Sequence, residues 1–320
     1  MESAREDLLK FQTVSLNDIL DKSVSIRKSS PKIFIQIALA FILPLSLTIL
    51  ARSLFTFPLL SLIPIYGLGD DQYKWTQFFI FELFYPMFVF VFSLLSTAAV
   101  VFTVASIYAS RPVSFSITIS AIPKVYKRLF ITFIFFSFFL ILCNIIVMGS
   151  LMMYASSLDI DNHPILFGLY FIILYCLIFF PIYTYITALW HLASVVSVLE
   201  PLSGLAALRK SKKLLKGNTV MAMEYVSLYL GACYLAEALM FEVYGWLGHR
   251  VLPIFFSSLV SIGILVVVNF TGLMAQSIFY FMCKSYHEEE IDRNALFDHL
   301  AAYVGEYVPV KGIEMQDLDI

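Results

Sequence analysis

Long hydrophobic runs alternate with short polar segments along almost the whole chain. A hydrocarbon core of about 30 Å needs about 20 helical residues to cross it, and six runs are long enough. They predict spans at residues 33–51, 75–107, 129–151, 164–190, 219–241 and 252–281. The fifth is the weakest because it contains Glu224 and Glu237. The pattern predicts an all-α fold, a polytopic transmembrane bundle of six spans with cytoplasmic interfacial amphipathic helices.

The polar segments divide the chain into three parts. Residues 1–32 are expected to form a cytoplasmic N-terminal amphipathic segment, residues 33–283 the six-span membrane domain, and residues 284–320 a cytoplasmic C-terminal tail. The uncharged stretch 53–69 follows the first span and contains Pro58 and Pro64. It is expected to form an interfacial or re-entrant loop, because such non-helical backbone is tolerated where protein covers it.

Composition supports a membrane protein. Of the 320 residues, 60% are hydrophobic and 14% are charged, whereas soluble domains usually carry about a quarter charged residues. This excludes an ordinary water-soluble enzyme, a disordered protein and a nucleic-acid binder.

The basic residues are unevenly divided by the six-span arrangement. Cytoplasmic loops of membrane proteins carry an excess of lysine and arginine. Alternate polar segments hold eighteen of the 21 basic residues, which predicts that both termini are cytoplasmic. These eighteen are Arg5, Lys10, Lys22, Arg27, Lys28, Lys32, Arg111, Lys124, Lys127, Arg128, Arg209, Lys210, Lys212, Lys213, Lys216, Lys284, Arg293 and Lys311.

Two polar segments near the ends have helical patterning. Ser15 is a plausible N-cap with Asp18 three residues later, and the helix after it places Ile19 and Ser23 on one side. It is expected to lie in the membrane interface and lead into the first span. Residues 294–305 have one apolar face, which either packs on the bundle or binds a cytoplasmic protein partner.

The third polar segment, residues 198–217, is the most informative. On a helix, Gly204, Ala207, Leu208, Ser211, Leu214 and Leu215 share one face. The opposite face carries Arg209, Lys212, Lys213 and Lys216, which are candidate contacts for anionic lipid headgroups. The alternative is a basic loop that packs on the bundle and only orients the fourth and fifth spans.

This segment also carries a resemblance. An acid, Glu200, precedes the pattern Gly-x-x-Ala-Leu-x-x-Ser-x-x-Leu-x-x-Gly from Gly204 to Gly217. It resembles the multi-pass membrane domain attached to some bacterial glycerophosphodiester phosphodiesterases. Nearly the whole chain, through Ser30-Pro31-Lys32 and on to residues 298–309, is similar to a family of plant six-span membrane proteins. The catalytic phosphodiesterase barrel is absent from the sequence, so the resemblance implies an architecture and no hydrolysis.

Ionisable groups inside spans are the first functional candidates in a membrane protein. Glu82, Glu237 and Arg250 are predicted to form an intramembrane polar site, with Arg52 as another possible cation; the alternative is structural ion pairs. Cys283 is either a palmitoylation site or a buried thiol. Asn144 and Asn269 are expected to form interhelical hydrogen bonds.

The motifs of common enzyme and phosphate-binding sites, HExxH, GxSxG and the phosphate-binding glycine loop, do not occur, and no cofactor or metal is expected. The sequence therefore predicts a non-enzymatic integral membrane protein of the endomembrane system or plasma membrane. It is expected to act as a membrane organiser or adaptor through its cytoplasmic helices. The alternative is a transporter or lipid-handling protein with a non-cytoplasmic vestibule around Glu82 and Glu237.

Overall fold

The computed structural model describes residues 16–66, 72–109, 113–157, 168–170, 172–247 and 251–287, and these residues form helices and no strand. The helices are α1 (Leu16–Ser29), α2 (Pro31–Ile37, Ala38–Ile42 and Leu43–Tyr66), α3 (Gln72–Tyr108), α4 (Phe115–Ser157), α5 (Ile173–Phe179 and Phe180–Leu199), α6 (Leu205–Leu215), α7 (Thr219–Leu247) and α8 (Val251–Tyr286). Six of them, α2, α3, α4, α5, α7 and α8, are long and apolar enough to cross a membrane. The predicted all-α bundle with six spans is thereby confirmed.

Two of the spanning helices contain a π-helical segment just before a proline. Ala38–Ile42 precedes Pro44 in α2, and Ile173–Phe179 precedes Pro181 in α5. Proline lacks an N–H, and its ring clashes with the carbonyl four residues earlier. In both helices that earlier carbonyl belongs to the π segment, where backbone N–H groups bond to carbonyls five residues earlier instead of four. The prolines therefore alter the helix locally without ending it.

Several helices extend beyond the hydrophobic runs that predict them. The loop expected at residues 53–69 is wrong for its described part, because α2 continues as a helix to Tyr66. The third span begins at Phe115, so Lys124, Lys127 and Arg128 lie on α4 itself. Helix α5 continues from Trp190 to Leu199. Hydropathy marks where lipid ends, but backbone hydrogen bonds can extend a helix into water.

The core of the bundle is concentrated at one end, which we call the packed end. It comprises the first halves of α2, α4 and α7 and the second halves of α3, α5 and α8, where most of the buried side chains lie. Helix α3 contributes small residues there, including Ala98, Ala99 and Ala105, all at most 1% exposed. Small side chains let neighbouring backbones approach closely, which is how helices associate in lipid.

Helix α8 is central to this arrangement, because it contacts α1, α2, α3, α5, α6 and α7. Helix α1 packs against it, and Ile19 and Ser23, which the predicted helix places on one side, are both buried. Two small residues of α8 contact α7: the Ser261 hydroxyl donates to the carbonyl of Ala236, and Gly272 lies against the Tyr229 ring. Gly263 has no such neighbour.

Hydroxyl groups join further pairs of spanning helices. Thr103 and Thr118 connect α3 to α4 at 3.3 Å, and Thr132 and Ser197 connect α4 to α5 at 2.7 Å. In an apolar solvent such bonds contribute about 1 kcal/mol each. They hold in place the helix ends that present the candidate site.

Candidate functional site

Helix α6 is fixed to the packed end at its start. The chain enters it through Gly204, which has a φ of +56°. The Gly204 amide donates to the Thr132 hydroxyl of α4 at 2.8 Å, and a Cβ at this position would lie 3.1 Å from the Phe135 ring. Glycine meets both demands, since it accepts positive φ and leaves room for the ring.

One face of α6 is buried and the other is exposed. Ala207, Ser211, Leu214 and Leu215 are buried, and the Ser211 hydroxyl donates to the carbonyl of Leu189 on α5 at 2.8 Å. The other face exposes the four predicted cations, Arg209, Lys212, Lys213 and Lys216. Helix α6 contains no acidic residue that would offset their charge.

Glu200 joins three helices at the turn that precedes α6. Its carboxylate accepts a hydrogen bond from the Tyr280 hydroxyl at 2.7 Å and lies 3.7 Å from the Lys284 ammonium. Its backbone carbonyl accepts from the Arg128 guanidinium at 3.0 Å. The turn is therefore held by α4 and α8 together, and this fixes the direction in which α6 leaves the bundle.

Other exposed cations lie at the same end of the molecule. They come from the first residues of α2, the end of α1 and the first turns of α4. Together with the four cations of α6 they form what we call the basic surface: Arg27, Lys28, Lys32, Lys124, Lys127, Arg209, Lys212, Lys213 and Lys216. This end of the bundle therefore exposes a cluster of cations that can attract an anionic surface.

The predicted intramembrane site is described only in part. Glu237 is half-buried on α7 and interacts electrostatically with Arg52 of α2. The Arg52 guanidinium also lies 5.5 Å from the centre of the Tyr85 ring. The side chain of Glu82 and the whole of Arg250 lie outside the described residues. Arg52 is therefore a described cation that can partner Glu237.

Cys283 and Asn269 have clear positions. The Cys283 side chain is 0% exposed, which matches the buried-thiol alternative and offers no accessible site for an acyl chain. Asn269 accepts a hydrogen bond from the Tyr229 hydroxyl of α7 at 2.9 Å, so its predicted interhelical role is confirmed. The side chain of Asn144 lies outside the described residues.

A polar cavity of about 150 Å³ lies among α2, α3, α5, α7 and α8. None of the residues lining it is Asp, Glu, Lys or Arg. They are Leu45, Ile49, Val89, Ser93, Ser96, Thr97, Trp190, His191, Ser194, Tyr229, Asn269, Gly272, Leu273 and Gln276. His191 lies eight residues before the end of α5, about 12 Å along its axis. The cavity therefore lies about two helical turns inside the packed end of the bundle.

Three of the residues lining the cavity have a buried nitrogen without a hydrogen-bond partner. The His191 ring is bonded through Nδ1 to Gln276 Oε1 at 2.5 Å. His191 Nε2, Gln276 Nε2 and Trp190 Nε1 have no partner. The Trp190 ring is held by stacking on Phe136, with ring centres 4.4 Å apart. Such groups are costly in a protein interior, so a cluster of three indicates a site with a further function.

The sequence interpretation missed this cavity because it ended the fourth span at Trp190, one residue before His191. A usable signal was present. Asn269, Gly272 and Gln276 recur at spacings of three and four on an otherwise apolar helix, which places them on one face. His191 and Ser194 have the same spacing on α5.

The comparisons with known proteins give one result. A family profile described as "Domain of unknown function (DUF8558)" matches residues 1–66 and 70–318. No curated protein and no solved structure matches the chain. The family match carries no activity, so the likeness to plant six-span proteins and to a phosphodiesterase membrane domain stays a prediction.

Proposed function

The chain belongs to the DUF8558 family, and we propose that it is a non-enzymatic integral membrane protein that acts as a membrane organiser or adaptor. The observation that carries this proposal is the way in which α6 packs on the bundle. Its apolar face is buried against the bundle, its entry is fixed through Gly204 and Glu200, and its four cations are exposed. A rigid basic face of this kind is suited to hold a negatively charged surface.

Anionic lipid headgroups are the proposed ligand of this face. Alternating spans place the basic surface on one side of the membrane, and the positive-inside rule assigns that side to the cytoplasm. The cytoplasmic leaflet is rich in anionic lipid, and each cation near it contributes about 1 kcal/mol of attraction. Both termini are then cytoplasmic, in the endomembrane system or the plasma membrane.

Lipid selectivity tests the proposal. The full chain is reconstituted in phosphatidylcholine, and the association of spin-labelled phosphatidylserine is compared with that of spin-labelled phosphatidylcholine. We expect the wild type to prefer phosphatidylserine. Replacing Arg209, Lys212, Lys213 and Lys216 with glutamine should lower that preference by about threefold or more, because four surface attractions are removed.

A matched variant separates α6 from bulk charge. Replacing Arg27, Lys28, Lys32 and Lys124 with glutamine changes the net charge equally but leaves α6 intact. We expect a smaller loss of preference in this variant, and in the wild type a preference that declines as salt screens the charges. An unchanged preference for phosphatidylserine in the α6 variant, or equal losses of preference in the two variants, would contradict the proposal.

The adaptor role is assigned to residues 294–305, which lie outside the described residues. Their predicted apolar face would bind a cytoplasmic protein. Deleting residues 294–320 should leave membrane insertion intact and abolish co-purification of that partner. The full-length and shortened chains are also compared by proximity labelling in plant cells. Equal capture of the partner by the two chains would refute this role.

A transporter or lipid-handling protein is the second candidate, and the electrostatic interaction between Arg52 and Glu237 favours it. This candidate requires Glu82 and Glu237 to share a water-filled vestibule. Single cysteines at positions 82 and 237 should then both react with a charged methanethiosulfonate reagent added to the non-cytoplasmic side. Two unreactive cysteines in folded protein would remove this candidate.

A further inference from the structure

We propose that the cavity lined by Trp190, His191 and Gln276 is a binding site for a neutral molecule bearing a hydroxyl group. The site lies deep in the bundle and shares no residue with the basic surface, so the inference stands independently of the proposed function. It follows from the hydrogen-bonding capacity of the lining and from the character of the walls.

The unpartnered nitrogens define the polar part of the ligand. With Gln276 Oε1 accepting from His191 Nδ1, the free groups are the Trp190 N–H, the Gln276 amide N–H and the His191 Nε2 lone pair. If the amide is turned round and the imidazole tautomer is exchanged, the Gln276 oxygen becomes the acceptor and His191 Nε2 a donor. Both assignments leave two donor atoms and one acceptor atom without a partner in the protein.

A hydroxyl group is the complement of that set. It accepts two hydrogen bonds and donates one. A ketone or ester carbonyl would satisfy the two donors but leave the protein acceptor without a partner. The three nitrogens lie buried behind the cavity wall, and small rotations about the broad terminal torsions of these side chains bring them to a ligand.

The walls argue for a ligand with carbon atoms rather than for water alone. Leu45, Ile49, Val89 and Leu273 line the same cavity, and these side chains offer no hydrogen bond to water that would fill the space beside them. A cavity of this volume holds a molecule about the size of benzene. The occupant is therefore a small alcohol or polyol, or the hydroxylated end of a neutral lipid.

The lining also argues for a neutral ligand. No residue of the described lining is an acid, a lysine or an arginine, and a charged ligand at this depth would need an opposite charge to offset its desolvation. The His191 ring meets Tyr229 edge to face, with centres 5.6 Å apart. This contact helps to orient the imidazole ring.

The test uses the full chain in phosphatidylcholine nanodiscs and three probes. Glycerol represents a soluble polyol, and dioleoylglycerol represents a hydroxylated lipid. Dioleoylglycerol acetylated on its hydroxyl is the matched control. The readout is the midpoint of thermal unfolding, which rises when a ligand binds the folded state. We expect a saturable rise with glycerol or with dioleoylglycerol, and no rise with the acetylated lipid.

Trp190→Phe gives the sharpest variant, because the Trp190 N–H makes no hydrogen bond within the protein and phenylalanine preserves stacking on Phe136. The variant should fold. It should bind the active probe about three- to tenfold more weakly, because one hydrogen bond to the ligand is lost. The control is Trp246→Phe, since Trp246 is 83% exposed and bonds to Glu242. That variant should bind as the wild type does.

The two hydroxyl probes identify the source of the ligand. A rise with glycerol alone indicates a soluble polyol, and a rise with dioleoylglycerol alone indicates a lipid. No rise with either probe would show that neither class of alcohol binds, and equal binding by Trp190→Phe and wild type would show that the probe does not use the Trp190 N–H. Either result would overturn the inference.

Discussion

Gly217 ends α6 with a φ of +90°, a conformation that costs other residues about 1–3 kcal/mol. The Cα of Gly217 also lies against Tyr286 of α8, and a Cβ at this position would come within 2.6 Å of the Tyr286 ring. One residue therefore sets both the turn into α7 and the contact with the end of α8.

We predict that Gly217→Ala lowers the thermal unfolding midpoint by several degrees in nanodiscs, mainly through backbone strain. Adding Tyr286→Ala should relieve the steric part only. The control is Gly231→Ala, because a Cβ there meets nothing within 4 Å and alanine is the better helix former. A Gly217 variant as stable as the Gly231 variant would contradict this account.

Glu200 is a second residue whose role can be measured. Its carboxylate accepts from the Tyr280 hydroxyl and lies beside Lys284, near the packed end. A double-mutant cycle of Glu200→Ala and Tyr280→Phe should give a coupling free energy of about 1 kcal/mol, as expected for a hydrogen bond to a partly exposed charge.

The matched cycle uses Tyr234→Phe, since Tyr234 lies on α7 and is 72% exposed. Its effect should add to that of Glu200→Ala without coupling. Additive effects in the Glu200–Tyr280 cycle, measured from unfolding midpoints in the same nanodiscs, would show that this contact does not hold the turn.

At the scale of elements, helix α6 is stabilised by burial of one face. Leu214 is 0% exposed, whereas Leu205 on the same helix is 53% exposed. We predict that Leu214→Ala destabilises the protein by about 2–4 kcal/mol, from lost burial and an unfilled cavity. Leu205→Ala should cost less than about 1 kcal/mol.

Protease sensitivity measures the same difference locally. Leu214→Ala should speed cleavage near Lys212 and Lys213, because α6 detaches more often from the bundle. Leu205→Ala should leave the cleavage rate close to that of wild type. Equal rates for the two variants would mean that α6 is not held by its buried face.

The elements also show what the sequence could predict. Uncharged runs locate all six spanning helices, because lipid demands about 20 apolar residues from each. The predicted ends are wrong where a charged residue lies inside a continuous helix, as Arg128 does in α4 and Arg52 does in α2. Helical periodicity placed Ser211 and Leu214 correctly on the buried face of α6.

The cavity around His191 could not be predicted from the individual hydrophobic runs of the sequence. Trp190 is the last residue of the predicted fourth span, and neither His191 nor Gln276 is a predicted site residue. Their significance depends on α5 and α8 meeting, which brings His191 to Gln276. Tertiary packing of this kind leaves only a weak trace in a single sequence.

At the scale of the whole molecule, six crossings bring α1 and the end of α8 to the same side of the bundle, and these two helices are in contact. We predict that reporter tags at the two termini, and one inserted near Lys212, all report the cytoplasm in intact cells. The physical reason is the shared position of the basic surface.

The control for this prediction is a reporter in the segment between α7 and α8, at residues 248–250, which should report the opposite compartment. Terminal tags in opposite compartments, or a luminal reporter near Lys212, would contradict the six-span arrangement.

The central position of α8 has a consequence for biogenesis. Helices leave the ribosome in chain order, and Val251–Tyr286 follows the five other spanning helices that the structure describes. Until it is inserted, His191 has no Gln276 to bond, and the inward faces of α2, α3, α5 and α7 lack a common neighbour. A nascent chain stalled before α8 therefore leaves this imidazole without its hydrogen-bond partner, a defect that chaperones and proteases of the membrane can recognise.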